Sequence, residues 1–157
     1  MARQFSQLWE KLRRTDNGTG YQLREKADKN AVLQKQRSID LSLWSEVFEL
    51  PVNFINLQYG EVDADIQCVY EQHHGVTLYD WPDSDPLEDL DHFAAKVSTL
   101  DLVVSVDNAT VHFSAALGIP SLILLPINSE WRWGLKRTDS YWYPDVVSLI
   151  RQKTPGD

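Results

Sequence analysis

Between Leu102 and Gly118 the chain reads LVVSVDNATVHFSAALG, with IPSLILLP directly after it. A run of apolar residues stops on Asp107, Asn108, Ala109 and Thr110, and His112 follows two positions later. An acid, an amide, a hydroxyl and an imidazole so placed could bind an anion. If Leu102–Val106 is a strand and Ala109–Leu117 a helix, the first helical N–H groups have no partner within the helix and carry partial positive charge. That end of a helix suits a phosphate or pyrophosphate. Asn108 and Thr110 would add side-chain donors, and Ala109 would let the backbone approach closely. Asp107 would repel phosphate, so sugar hydroxyls are its better partners, and His112 in the first turn can donate to a phosphate oxygen. Capping competes with this reading, because Asp or Asn ahead of a helix satisfies the same N–H groups. A histidine facing a sheet is also often a hydrogen-bonded core residue. On local pattern both readings stand.

The elements that would position these residues alternate along the chain. Leu41, Trp44, Val47 and Phe48 mark a helix with Asp40 as N-cap and Pro51 as its stop. VNFINLQ reads as a strand ending at Tyr59-Gly60, Val62–His73 as a helix, and GVTLYDW as a strand. Leu90, Phe93, Ala94 and Val97 give the next helix its apolar stripe. LVVSV and SLILL lack alternation, which suits parallel strands covered on both faces, and VVSLI supplies one more element near the C-terminus. Strands and helices in this order predict an α/β fold, a Rossmann-like parallel sheet flanked by helices. Gln58 and Tyr59, at a strand end, would face the same crevice as Asp107. Ordinary turn chemistry before Gly60 is the rival account of both.

Residues 1–36 are set apart from a domain spanning 37–157. Phe5, Leu8, Trp9 and Leu12 fall on one helical face, closed by TDNGTG, and the polar stretch that follows permits a short strand around Tyr21–Arg24.

Charge and composition narrow the function classes. The chain has 157 residues, 43% hydrophobic, with a net charge of −8. Residues 1–37 hold nine Lys/Arg against four Asp/Glu; the remainder hold six against nineteen. Such a surface is a poor match for nucleic acid, whose phosphates need clustered Lys/Arg. One cysteine, Cys68, excludes an internal disulfide framework and points to a reducing, cytoplasmic setting. No apolar run reaches the roughly 20 residues of a membrane span, and the opening residues do not read as a signal peptide. No G-x-G-x-x-G or P-loop follows any strand. His73 and His74 are adjacent, so they cannot share a helix face as zinc ligands at i, i+4 do.

The segment LDLVVSVDNATVHFSAALGIPSLILLP resembles the signature of bacterial GT-B glycosyltransferases related to the heptosyltransferases. It is most similar to the glycosyltransferase-like region found after tetratricopeptide repeats. That pattern runs D-L-V-I-S-V-D-T-x-x-x-H-L-A-G-A-L-G-x-P; Asp107, His112, Ala116, Leu117, Gly118 and Pro120 match it, and Asn108 stands where Thr is usual. INSEWRWGLKRTDSYWYPDVVSLIRQ is similar to the family's P-D-W-R-W ending. QRSIDLSLWSEVFELPVNFINLQYG resembles its R-S-I-P-L segment and S-L-Q strand end, and DLDHFAAKVSTLD its D-F-A-D-T-A helix. The resemblance covers about residues 36–152.

It implies the C-terminal, donor-binding half of a GT-B enzyme, with a nucleotide-diphosphate sugar as substrate and no separate cofactor or metal. The diphosphate would lie over Asp107–His112, with Arg37 available to neutralise it and Tyr79–Trp81 near the base. Arg132 or Arg137 would be a lesser candidate for phosphate. The dense aromatics at Trp131, Trp133, Trp142 and Tyr143 are expected to pack a last helix across the domain.

Two departures qualify what the family implies. Where it has an apolar, glycine-rich first strand, this chain has YQLREKADKN, so a sheet without an ordinary first strand is expected. The acceptor-binding half does not fit in 157 residues. Because positioning both reactants supplies much of the barrier reduction, the expectation is a truncated or split enzyme that needs a second chain for its acceptor domain. The competing reading is a non-catalytic interaction domain whose nucleotide site has decayed.

Overall fold

The structure is a computed structural model that describes residues 19–22, 39, 41–60, 62–73, 75–81 and 86–154. The segment Phe5–Leu12, Arg37 and the expected cap Asp40 lie outside the described residues.

Six strands form one sheet: β1 (Thr19–Gln22), β2 (Phe54–Asn56), β3 (Leu78–Tyr79), β4 (Leu102–Val106), β5 (Ser121–Leu125) and β6 (Val147–Arg151). Their spatial order is β3-β2-β1-β4-β5-β6, and every neighbouring pair is parallel. This is the doubly wound, Rossmann-type order, in which the winding reverses between β1 and β4. The α/β class expected from the sequence is therefore the class observed.

The two faces of the sheet are covered by different helices. A 3₁₀ turn (Leu41–Trp44) runs into α1 (Ser45–Phe48), and α2 (Asp63–Gln72) follows β2. Trp44, Phe48 and Val69 from these elements pack with Leu102, Val104, Val106, Leu122, Leu124 and Ile150. On the opposite face α3 (Leu90–Ser98) and α4 (Ala109–Ala116) bring in Phe93, Val97, Val111 and Ala115. Val103 and Ile123, both 0% exposed, point to that side. Covering on both faces explains why LVVSV and SLILL show no alternation.

The first strand corrects the sequence reading. Thr19–Gln22 pairs with both β2 and β4 and lies at the centre of the sheet, although it falls within the stretch assigned to a separate N-terminal segment. TGYQ has no apolar run to announce it. Its backbone groups are satisfied by two parallel neighbours, a cause that exists only in the folded sheet. Thr19 and Gly20, the last two residues of the TDNGTG stretch expected to close a helix, are instead the first two residues of this strand. GVTLYDW shortens to Leu78–Tyr79, the edge strand β3, because only one neighbour pairs with it.

The C-terminal aromatic region also departs from expectation. No helix is present among residues 126–146; a 3₁₀ turn (Trp131–Trp133) and a string of turns lead into β6. Asp139 bridges Ser148 in antiparallel fashion, and Leu149 N–H donates to Thr138 O at 2.8 Å. This segment covers the outer edge of β6, which would otherwise present unpaired backbone groups to a passing strand.

Candidate functional site at the amino end of α4

β4 delivers the chain to the carboxyl edge of the sheet beside the point where the winding reverses, the usual ligand position in open α/β sheets. Asp107 and Asn108 form the turn there, and α4 begins at Ala109. Asn108 is the N-cap: its Oδ1 accepts from Thr110 N–H at 3.0 Å. Ser105 Oγ, fully buried on β4, lies 3.3 Å from the same Oδ1 and 3.0 Å from Val106 O, with one proton between the two acceptors. The bond from Thr110 N–H sets the amide's orientation, with Oδ1 toward the helix and Nδ2 turned away from it. That nitrogen is buried and has no hydrogen-bond partner among the described residues. Capping and an available ligand donor therefore coexist in one side chain.

α4 is held at its other end by Gly118. Its φ of +77° allows Ile119 N–H to reach Ser114 O at 2.9 Å and Gly118 N–H to reach Ala115 O at 3.1 Å, a Schellman closure. Ser114 Oγ and Ser121 Oγ lie 2.7 Å apart in the interior, tying the helix to β5. The carboxyl end of α4 is thus fixed by its own contacts, apart from the cap at its amino end.

His112 is half-buried one turn into α4. Its ring stacks on Trp133, centroids 5.4 Å apart and planes 18° from parallel. Its Nδ1 lies 3.0 Å from the Tyr143 hydroxyl. Burial holds the His112 pKa below the ordinary value; the Arg132 cation lowers it further, and Asp107 partly offsets both. Arg132 and Asp107 therefore share the electrostatic neighbourhood of the ring. Thr110 is 3% exposed and Asp107 7%, so both are set into the turn rather than projecting from it. Arg132 Nε and the indole N–H of Trp133 are further buried donors with no partner among the described residues.

Arg151, at the end of β6, holds the loop that carries Trp133 to His112. Its guanidinium donates to Trp133 O at 2.5 Å, Arg137 O at 3.1 Å and Ser129 Oγ at 2.9 Å, fastening the loop from three directions. Arg137 itself lies over the Tyr141 ring and pairs with Asp139 at 2.7 Å. Trp131 and Trp142 are exposed and meet edge to face at 6.3 Å.

Gln58 and Tyr59 follow β2, which is separated from β4 by β1, so they stand about 10 Å along the edge from the α4 turn. Asn56 shapes their turn: Gln58 N–H donates to Asn56 Oδ1 at 2.9 Å, and Asn56 Nδ2 donates to Gln58 O at 3.1 Å and to Asp80 Oδ1 at 2.8 Å. Asn56 therefore ties the ends of β2 and β3 together. Beside it Lys96, 8% exposed, sits over the Trp81 ring at 5.6 Å. Burial lowers its pKa, and Asp80 counteracts this.

Of the residues singled out from sequence, Asp107, Asn108, Ala109, Thr110 and His112 come together at one turn, while Gln58 and Tyr59 lie further along the same edge. Arg37 lies outside the described residues. The sequence reading missed Ser105, Asn56 and Arg151 as positioning groups, and it missed the contact of Tyr143 with His112. A polar residue inside an apolar strand, as in FINLQ or LVVSV, is the one local signal that marked two of them.

Comparison with known proteins adds the following. No family model matches the chain. The protein FlbA of Caulobacter vibrioides is 35% identical over 113 residues, which are 71% of this chain and 18% of FlbA. The glycosyl transferase family 9 protein of Veillonella parvula superimposes with a TM-score of 0.58 at 13% identity, over 96% of this chain and 40% of that one. The chain thus spans less than half the length of each protein it matches. Its fold is an α/β fold of parallel strands flanked by helices, similar to that of a glycosyltransferase family 9 protein.

Proposed function

We propose that this chain is a glycosyltransferase-like donor domain that binds the diphosphate of a nucleotide sugar at the amino end of α4. The observation that carries the reading is Asn108. Its Oδ1 is spent on the cap, yet its Nδ2 is buried without a partner among the described residues, beside a helix amino end at the winding reversal. A buried donor left unpaired costs about 1–3 kcal/mol, a cost that a phosphate oxygen would remove. His112 and Arg132 supply further donors of neutral and positive character in the same neighbourhood. In an intact transferase these groups would stabilise the departing nucleoside diphosphate as negative charge gathers on it. Asp107 would accept from sugar hydroxyls. The acceptor half would come from another part of a longer protein or from a second chain.

A second reading, a docking domain with a closed nucleotide site, is favoured by two facts. Thr110 N–H is already taken by Asn108, and the Trp131–Trp142 pair stands exposed. Titration with UDP, ADP and GDP, followed by thermal shift and saturation-transfer NMR, separates the two. The donor-domain reading expects one nucleotide to bind and His112→Ala to weaken it about tenfold, the worth of one well-made hydrogen bond. No response to any of them at millimolar concentration leaves the docking reading.

A further inference from the structure

We propose that Tyr143 sets the tautomer of His112, its phenol O–H donating to Nδ1 so that Nε2 keeps the ring proton and offers it to a phosphate oxygen. This rests on the donor-domain reading for the identity of the ligand, but the positioning itself is a property of the chain without ligand.

Three restraints act on the imidazole. Stacking on Trp133 fixes its plane. The Tyr143 hydroxyl at 3.0 Å fixes its rotation within that plane. Burial and Arg132 favour the neutral form over Asp107's opposing pull, so the ring carries a single N–H. That proton sits on either Nδ1 or Nε2, and the two arrangements differ in what they leave unused. With the proton on Nδ1, the ring donates to the phenolic oxygen, and the Tyr143 O–H has no acceptor among the described residues. With the proton on Nε2, the phenol donates to an imidazole nitrogen, a better acceptor than a phenolic oxygen, and the second ring nitrogen is left as a donor. No hydrogen bond among the described residues engages Nε2, so it remains available to a ligand.

Tyr143 is itself fixed. Its carbonyl accepts from Val146 and Val147 N–H at 3.4 and 3.3 Å, which closes the turn into β6, and its ring packs on the cluster of Val111, Trp133 and Val147. The hydroxyl therefore reaches His112 from an anchored base. Tyr143 is a positioning residue: it acts on the ligand only through His112. A histidine without that partner would populate both tautomers, and the Nδ1–H form would aim a lone pair at an anion from Nε2.

The test reads the tautomer directly. Two-bond ¹H–¹⁵N correlation on chain labelled at histidine nitrogen, near pH 8 and without ligand, distinguishes a protonated from an unprotonated ring nitrogen; His112→Gln assigns the resonances. We expect an unprotonated Nδ1 and a protonated Nε2 in the native chain. In Tyr143→Phe both nitrogens should move toward tautomer-averaged shifts, with affinity for the bound nucleoside diphosphate falling about threefold to tenfold. A protonated Nδ1 in the native chain overturns the proposal, and this measurement needs no variant to fold. A tautomer unchanged in Tyr143→Phe overturns it equally. If the tautomer behaves as expected while UDP, ADP and GDP all fail to bind, the donor-domain reading falls and the positioning of His112 by Tyr143 stands.

Discussion

At the level of single residues, the α4 turn shows one side chain doing two jobs with two different atoms. Asn108 Oδ1 caps the helix and Nδ2 is left over, so the two roles can be separated chemically. Asp caps about as well as Asn, but it has no Nδ2 donor and brings a negative charge toward any phosphate. Asn108→Asp should therefore keep stability within about 0.5 kcal/mol by urea denaturation. Its affinity for nucleoside diphosphate should fall at least about tenfold, as one charge-opposed hydrogen bond is lost. His112 carries a second separable property. Its folded-state pKa lies below the ordinary 6.5, so the folded chain holds fewer protons than the unfolded one between those two values. Stability attributable to it is complete above about pH 6.5 and declines as pH falls toward the lowered value. Chemical denaturation at stepped pH should show this acid loss in the native chain and a shallower slope in His112→Gln.

Elements act on the site through their ends. α4 is only eight residues long, so a disturbance at its C-terminus is one or two turns from the ligand turn. Gly118 has φ near +77°, and a Cβ placed there would meet nothing within 4 Å. The cost of Gly118→Ala is then purely conformational, about 1 kcal/mol for a left-handed backbone on a residue with a Cβ. Thermal denaturation should show that loss, while nucleotide affinity changes less than in Asn108→Asp because the amino-end geometry is held by β4. β6 contributes in the same way through Arg151, whose three hydrogen bonds bring Trp133 and the Trp131–Tyr143 loop against α4. An expected final helix would have buried these aromatics by packing. The observed loop instead presents two of them, Trp133 and Tyr143, to His112.

For the whole molecule, the reversal of winding between β1 and β4 is the organising fact. In open α/β sheets ligands bind at such a reversal, beyond the carboxyl ends of the strands, and the α4 turn lies at that position. The chain corresponds to 40% of a glycosyltransferase family 9 structure and 18% of FlbA; on the donor-domain proposal, a reaction that holds two substrates together would draw on more than these residues. The expected behaviour of the isolated 157 residues is nucleotide binding without sugar transfer. Incubation with nucleotide sugars and an assay for released nucleoside diphosphate checks this, and turnover well above the uncatalysed rate would contradict it. Among the described residues no helix is long and apolar enough to cross a membrane.

Local order was legible in the amino-acid sequence wherever a residue's neighbours along the chain decide its state. The buried strands LVVSV and SLILL appear where their composition places them. So do Phe93 and Val97 of the expected stripe and the helix closed by Gly118, whereas Leu90 at the head of that stripe is 52% exposed. The grouping of Asp107 to His112 at a strand end was equally readable, since five near-consecutive residues cannot be far apart. Tertiary structure alone decided what depends on distant partners. Thr19–Gln22 takes its central place because β2 and β4 flank it, where the sequence allowed only a short strand around Tyr21–Arg24. His112 is oriented by Tyr143, 31 residues away, and by Trp133. Trp133 is fastened there by an arginine on β6, and no pattern within α4 encodes a contact whose other half lies on a distant loop.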